Sequence, residues 1–254
     1  MKNQNKTVTK SMALLTLFRQ HEELTLQEMV KLSGIPKTSA HRMVGALIEM
    51  GFLQKEKDGR YSLGMLFLEF GQLVSERLDI RKAALPVMQK VNRETGEAIN
   101  LVVKDQLEAI YVEKLEASHP VRLYTKIGRR SPLYAGACPR IILAYTEETE
   151  QQAYIEKANL IPFASGTITS KEKLLQSLHR SRIDGYTISF SELENDTVSV
   201  AAPIFDYKNS IVGGISIAGP ETRFQKDQFP FYINKAKEAG KTISKNLGCQ
   251  SFPF

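Results

Sequence analysis

The fold is decided by the stretch from Thr25 to Leu53, TLQEMVKLSGIPKTSAHRMVGALIEMGFL. It begins with Thr25-Leu26-Gln27-Glu28, which has the form of a capping box: the threonine hydroxyl accepts a backbone amide at the helix start, and Glu28 reaches back. Gly34 suits a left-handed turn position, and Pro36 suits the first turn of a new helix. The stretch therefore predicts two short helices joined by a tight turn.

The second of these helices, predicted from about Pro36 to Met50, has two different faces. At helical spacing, one side carries the apolar residues Ala40, Met43, Val44 and Leu47. The other side carries short polar and cationic residues that suit the major groove of DNA: Lys37, Thr38, Ser39, His41, Arg42 and Gly45. In this arrangement Arg42 can reach a guanine edge, while Lys37 and Ser39 hold phosphates beside the helix N-terminus.

The flanking sequence completes a compact module. Upstream, apolar residues at helical spacing predict a first helix whose buried side carries Val8, Met12, Leu15 and Phe18. Downstream, two strand-like runs flank Lys57-Asp58-Gly59, and Asp-Gly is a hairpin signal. Lys57 and Arg60 then lie on a wing that can touch the DNA backbone or minor groove. This order predicts a winged helix-turn-helix over residues 5–66. The alternative is the same module used for protein contacts, with its cations merely solvated.

The rest of the chain predicts a linker helix over residues 67–79 and a larger domain over residues 80–250. The helical stretch from Met65 to Leu78, which contains most of this linker, has an apolar face too wide to leave in water, which predicts a dimer surface: Leu66, Phe67, Phe70, Leu73 and Val74. Beyond it, strands are predicted at Ile99–Val103, Ala109–Val112, Val121–Tyr124, Val198–Ile204 and Ile211–Ile217, and helices at Arg81–Glu94, Arg140–Glu147, Lys171–Ser181 and Asn234–Leu247. Runs of adjacent strands between helices favour an α+β sheet with helices on one face.

Charge and composition narrow the function. The net charge is +6 over 254 residues. Ten Lys and Arg against six Asp and Glu place +4 of it in residues 1–65, which favours a polyanion partner there. No apolar run approaches the roughly 20 residues that cross a bilayer, and no signal peptide is evident. We therefore expect a cytoplasmic protein with no membrane partner.

Catalytic and metal chemistry have little support in the sequence. The two cysteines, Cys138 and Cys249, and four scattered histidines show no metal-ligand spacing. His119 and His179 have no recognisable partners nearby, and no phosphate-binding glycine loop occurs. We expect no catalytic residue, metal or cofactor, and Cys138 is predicted to be a small buried residue. The competing interpretation is an enzyme or metabolite-binding module with an accessory winged helix.

The sequence resembles the IclR family of transcriptional regulators over nearly its whole length. The resemblance rests on residues 34–44, 47–53 and 58–64, on Gly128-Arg129-Arg130-Ser131-Pro132-Leu133, and on residues 201–206 and 215–220. Within the family, the sequence is most similar to a Bacillus subgroup. The resemblance implies a GAF/PAS-like effector-binding domain, a small organic acid or related metabolite as effector, and a repressor. It also implies a homodimer or a homotetrameric dimer of dimers on a double-stranded DNA operator.

The resemblance also implies an effector site. In relatives that bind glyoxylate or pyruvate, the ligand touches a Gly-Ala pair at a helix start, an Asp, a Cys and two Ser residues. By motif, these positions correspond here to Gly136 and Ala137, to Ser189, to Ser199, and to Ser216 and Ala218. The changes at Ser189, Ser199 and Ala218 imply a ligand other than those two acids. A second departure places Pro139-Arg140 where the family usually has Gly-Lys.

Overall fold

The computed structural model describes residues 5–76, 79–120, 123 and 125–252. The chain forms two compact units, residues 1–77 and residues 78–254. The predicted division into residues 5–66, 67–79 and 80–250 is finer than these two units and stays a prediction.

The first unit consists of short helices and one hairpin. Its elements are α1 (Lys6–Thr16), a 3-10 turn (Leu17–Arg19), α2 (Leu26–Ser33), α3 (Lys37–Glu49), β1 (Leu53–Lys55), β2 (Tyr61–Leu63) and α4 (Leu66–Glu76). β1 and β2 are antiparallel, with Leu53 opposite Leu63. This is the predicted winged helix-turn-helix.

The core of the first unit agrees with the prediction at α3 and agrees only in part for the first helix, where Leu15 and Phe18 are buried as predicted. Ala40, Val44 and Leu47 of α3 are buried as expected. On α1, however, Val8 and Met12 are exposed, and the buried residues are Leu14 and Leu15; Phe18 is buried in the following turn, and Leu32 at the end of α2 is exposed. Helical spacing shows which residues share a side, but it does not show how far along a helix the core extends.

Helix α4 is anchored at its start and exposed beyond it. Phe67 packs edge to face on Phe52 of the hairpin base, with 5.5 Å between ring centroids. Leu68, Phe70 and Leu73 are exposed. Val74 was predicted to belong to the apolar face of this helix, but its side chain is not among those that the structure describes. Residues 77 and 78, near the end of the predicted linker, also lie outside the described residues.

The second unit is built on one six-stranded sheet. Its elements are α5 (Asp79–Thr95), β3 (Ala98–Asp105), β4 (Glu108–Leu115), β5 (Arg130–Pro132), α6 (Ala137–Tyr145), α7 (Glu148–Lys157), α8 (Lys171–Asp184), β6 (Thr187–Phe190), β7 (Thr197–Phe205), β8 (Ile211–Pro220), two 3-10 turns (Glu221–Arg223 and Lys226–Gln228) and α9 (Phe229–Asn246). The strand order is β5-β4-β3-β8-β7-β6, and all neighbours are antiparallel.

Helices cover both faces of this sheet, so the prediction of helices on one face is wrong. α5 and α9 pack on one face, where Met88 and Ile243 meet Val200. α6, α7 and α8 pack on the other, where Ile141 and Leu174 lie in a second cluster. The physical reason is visible in β7, which is buried continuously from Val200 to Phe205. Several residues of that strand are small, so its sequence does not show which side chains face which helix layer.

Several element boundaries also differ from the prediction. The helix predicted at Arg140–Glu147 runs from Ala137 to Tyr145, and β5, β6 and α7 were not predicted. The strand predicted at Val121–Tyr124 falls largely outside the described residues. In the described part of the chain, no helix combines the length and the apolar character needed to cross a membrane.

Candidate DNA-binding surface and effector pocket

The turn between α2 and α3 is formed by local hydrogen bonds. The Thr25 amide donates to the Glu28 carboxylate over 2.8 Å, and the Glu28 amide donates to the Thr25 hydroxyl over 3.3 Å, so the predicted capping box is present. The Thr25 hydroxyl also donates to the Glu28 carboxylate, and the two bonds from Thr25 lower the pKa of Glu28 because they favour its charged form. Gly34 has φ of +67° and ends α2 in the left-handed region, which re-aims the chain into α3.

The polar face of α3 is open to solvent. Lys37, Thr38, His41 and Arg42 are exposed, while Ser39 and Gly45 are partly exposed. No side chain caps the start of α3, so its first amides are free to meet a phosphate. Within the described residues, neither Lys37 nor Arg42 forms an ion pair with a carboxylate. The face therefore presents uncompensated positive charge beside an uncapped helix start.

The wing carries its two predicted cations in different settings. Lys57 is exposed at the tip, next to Gly59, whose φ is +87°. Arg60 is only partly exposed and lies 3.6 Å from Asp58 and 3.9 Å from Glu28. Two carboxylates thus offset the charge of Arg60, and its pair with Glu28 connects the wing to α2. Lys57 is the freer of the two cations.

In the second unit, the predicted effector residues converge at the start of α6. Gly136, Ala137, Ser189 and Ser199 line one cavity of about 50 Å³, together with Ala218. A water molecule needs about 10–15 Å³ on this measure, so the cavity has room for a few waters or a small ligand. Ser216 is buried and does not line it.

Strand register explains this convergence. Ser189 lies opposite Ser199, and Ser199 lies opposite Ala218. Ser216 lies opposite Asn100 of β3. Because residues directly opposite each other on antiparallel strands share a face, these small polar residues form one stripe across four strands. The stripe faces the layer that contains α6.

The stripe also includes a residue that the sequence prediction missed. Asn100 lies in the middle of the buried strand β3 and lines the cavity. Its side-chain amide is 3.5 Å from the Ser216 hydroxyl, and its Oδ1 is buried with no hydrogen-bond partner. Asparagine is depleted in strands, so its occurrence between Ile99 and Leu101 in a predicted strand was the feature of the sequence that could have indicated a functional residue.

Cys138 is buried directly behind the cavity, as predicted. Burial raises the pKa of its thiol to about 12, and a hydrogen bond from Ser216 partly opposes that rise. A thiol with this pKa is protonated at neutral pH and is a poor nucleophile. No group of three or more His, Cys, Asp or Glu side chains suited to a metal ion occurs among the described residues.

A buried ion pair underlies the start of α6. Arg140 pairs with Glu192, and both side chains are almost fully buried. The same carboxylate accepts a hydrogen bond from the Gly136 amide over 2.8 Å, and the Arg140 guanidinium donates to the Ile188 carbonyl over 2.5 Å. The amide of Gly136, one of the predicted effector residues, is therefore already occupied by Glu192.

The loop after β6 closes one side of the cavity. It carries Leu193 and Glu194 into the lining, and Glu194 pairs with Arg129 over 2.5 Å. Thr167 fixes this loop by donating to the Glu192 carbonyl over 2.6 Å. Ser191, with φ of +46°, holds a left-handed conformation that is uncommon outside glycine. The loop thus brings the Arg129–Glu194 pair to the cavity and the Arg140–Glu192 pair beneath the start of α6.

A larger open groove of about 820 Å³ runs along α8 and β6, with Lys173 and Arg180 among its lining. None of the five predicted effector residues lines this groove. Four predicted residues and an unpartnered buried acceptor meet instead at the smaller cavity, which is the candidate ligand site.

Two family models match the chain. The IclR helix-turn-helix domain matches residues 7–57, and the bacterial transcriptional regulator IclR C-terminal model matches residues 72–245. The chain belongs to the IclR family. KipR of Bacillus subtilis, an HTH-type transcriptional regulator, is 56% identical over 98% of this chain and 99% of its own length. That similarity agrees with the predicted Bacillus subgroup.

Solved structures of IclR proteins share the fold. The Thermotoga maritima IclR structure has a TM-score of 0.79 and 29% identity, covering 96% of this chain and all of its own. An IclR homologue from Microbacterium hydrocarbonoxydans, complexed with 4-hydroxybenzoate, has a TM-score of 0.83 and 23% identity over 95% of this chain and 99% of its own.

Family membership confirms the predicted function class. The IclR protein is a DNA-binding transcriptional regulator with a C-terminal effector-binding domain, and its family is one of regulators, not enzymes. The roles of the individual residues on α3, on the wing and around the cavity stay predictions.

Proposed function

We propose that this IclR protein is a repressor that binds a palindromic operator in double-stranded DNA and is controlled by a small organic acid or related metabolite. The observation that carries the proposal is the meeting of Gly136, Ala137, Ser189 and Ser199, which come from three separate parts of the sequence, around one cavity. These four small residues leave open a space beside the start of α6, which larger side chains would fill. A regulator that must reach chromosomal DNA acts in the cytoplasm.

The start of α6 supports an acidic ligand. The first amides of a helix have no partner within it, and the N-cap residue of α6 is a glycine, which has no side chain to cap them. Since the Gly136 amide is held by Glu192, the amides that follow it at the helix start are the ones that would receive a ligand carboxylate or carbonyl. The Microbacterium homologue was crystallised with a small aromatic acid, which is the same chemical class.

The DNA side of the proposal rests on α3 and the wing. Lys37, Ser39 and Lys57 would contact phosphates, which supply affinity without sequence information. Thr38, His41 and Arg42 would reach base edges. Gly45, which has no side chain, would let the helix approach the floor of the groove. Arg60 would act mainly through its pairs with Asp58 and Glu28.

Control requires the cavity and the DNA surface to be coupled by about 1–3 kcal/mol. We propose that the coupling acts through a homodimer or a dimer of dimers, because the exposed apolar residues of α4 suit a surface that a second copy covers. Ligand binding would then change the spacing of two recognition helices on a two-fold symmetric operator.

The deciding experiment selects bound fragments from a random genomic DNA pool, with and without fractionated cell metabolites. The proposal expects recovery of a palindromic operator and at least one metabolite fraction that changes the affinity for it by fivefold or more. In vitro transcription from the recovered promoter should fall when the protein is added. Failure to enrich any sequence, or indifference to every fraction, would contradict the proposal.

A further inference from the structure

The floor of the effector cavity contains a hydrogen-bond acceptor that the protein leaves unused. Asn100 is 4% exposed, and its Oδ1 has no partner among the described residues. Its amide nitrogen approaches Ser216 at 3.5 Å, which is the limit of a hydrogen bond. Leaving such a group unpaired and dry costs free energy, so native proteins seldom keep one without a reason.

No described residue donates a hydrogen bond to the Asn100 Oδ1 atom. The Ser216 hydroxyl lies on the side of the Asn100 amide nitrogen, from which it accepts. Two other residues of the cavity lining, Ala218 on the sheet and Ala137 at the start of α6, have no side-chain donor. Tyr111 and Arg129 also line the cavity, but neither bonds to this oxygen, and Arg129 is paired with Glu194. The unpaired oxygen therefore belongs to the cavity and not to the core.

We infer that Asn100 determines ligand specificity by accepting a hydrogen bond from a hydroxyl or N–H group of the effector. This inference rests on the proposed function. The start of α6 would receive the acid group, and Asn100, on the sheet that faces α6 across the cavity, would accept from the donor group. The effector is then a small carboxylate that also carries a donor group. A molecule of the same shape without the donor leaves Oδ1 unpaired and is rejected.

The experiment compares the wild-type chain with Asn100→Leu, using pairs of acids that differ by one hydroxyl: lactate and propionate, 3-hydroxybutyrate and butyrate, 4-hydroxybenzoate and benzoate. Calorimetric titration should show at least one hydroxylated acid binding the wild type about tenfold or more tightly than its partner acid. In Asn100→Leu that ratio should fall to near one. A wild type that binds both members of every pair equally, or that binds none of the six, overturns the inference.

A second measurement needs no ligand. Replacing an unpaired buried polar group by an apolar one of similar size is neutral or stabilising, so Asn100→Leu should unfold at the same or a higher temperature than the wild type. Asn92→Leu is the matched control, because the Asn92 amide donates to the carbonyls of Glu97 and Glu116, each over 2.8 Å. Asn92→Leu should lower the midpoint. If Asn100→Leu lowers the unfolding midpoint as much as Asn92→Leu does, Asn100 has a structural role and the inference is overturned.

The two proposals fail in different ways. If a metabolite fraction releases operator DNA equally well from the wild type and from Asn100→Leu, the regulator is ligand-controlled and the role of Asn100 is wrong. If no metabolite fraction changes operator binding by the wild type, the proposed function itself fails, whatever affinities the six acids show.

Discussion

The Glu192 carboxylate accepts a hydrogen bond from the Gly136 amide over 2.8 Å. This contact joins the loop after β6 to the start of α6, across 56 positions of sequence. The carboxylate also pairs with the buried Arg140, so one side chain satisfies both a helix N-terminus and a buried cation. The position of α6 relative to the cavity therefore depends on Glu192.

Glu192→Gln should destabilise the protein by about 3 kcal/mol, because it leaves the Arg140 charge buried without its counter-ion. Urea unfolding of the full chain measures the loss. The control is Glu194→Gln, two residues further on, which also removes a carboxylate from an arginine but at a site 41% exposed. That variant should lose less than about 1 kcal/mol.

A double variant separates the ion pair from simple loss of packing. Arg140→Leu combined with Glu192→Gln removes both charges and should recover most of the stability lost in Glu192→Gln. Equal losses in Glu192→Gln and Glu194→Gln would show that the buried pair does not hold the start of α6.

Arg42→Ala should reduce sequence-specific DNA binding by about 1–3 kcal/mol, if Arg42 reads a base edge. The side chain is exposed on the polar face of α3. The measurement is the ratio of operator affinity to random-DNA affinity at fixed salt. Arg19→Ala removes the same charge from an exposed position in the turn after α1 and should leave that ratio unchanged. An equal effect of the two substitutions would reduce the role of Arg42 to general electrostatic attraction.

The features that the sequence predicted well are those with local causes. The capping box, the Gly34 turn and the buried side of α3 depend on residues within one or two helical turns of each other. The serine stripe could be placed only by family resemblance, because its members lie on different strands. Asn100 and Glu192 escaped prediction for the same reason: register sets the partners of Asn100, and a distant loop delivers Glu192.

Replacing Phe70 and Leu73 of α4 together by Glu should break or weaken the oligomer. The side chains are 49% and 46% exposed in the single chain, and burying acidic groups in an apolar contact is costly. Sedimentation velocity over a range of concentrations measures the change. Val8→Glu with Met12→Glu makes the same exchange on α1, where both residues are also exposed, and should keep the wild-type state. An unchanged oligomer in the α4 variant would place the interface elsewhere.

The cavity itself is best tested at Ser199. Gly136 is a poor position, because its φ is +89° and an added Cβ would lie 2.8 Å from Leu193, so any side chain there combines backbone strain with a clash. Ser199 is in a regular strand and lines the cavity. A leucine at this position extends apolar atoms into the space that a small ligand would need, at a packing cost of about 1–3 kcal/mol.

Ser199→Leu should therefore give a folded protein that binds operator DNA but no longer responds to its effector. Because the coupling is reciprocal, operator DNA should also stop changing effector affinity. The matched control is Ser210→Leu, an exposed position in the turn at the far end of the β7–β8 hairpin, which should respond like the wild type. The readouts are a thermal-shift screen of small acids and operator binding with and without each acid that shifts the wild type. If an acid stabilises Ser199→Leu and the wild type equally, its binding site is not the cavity at α6.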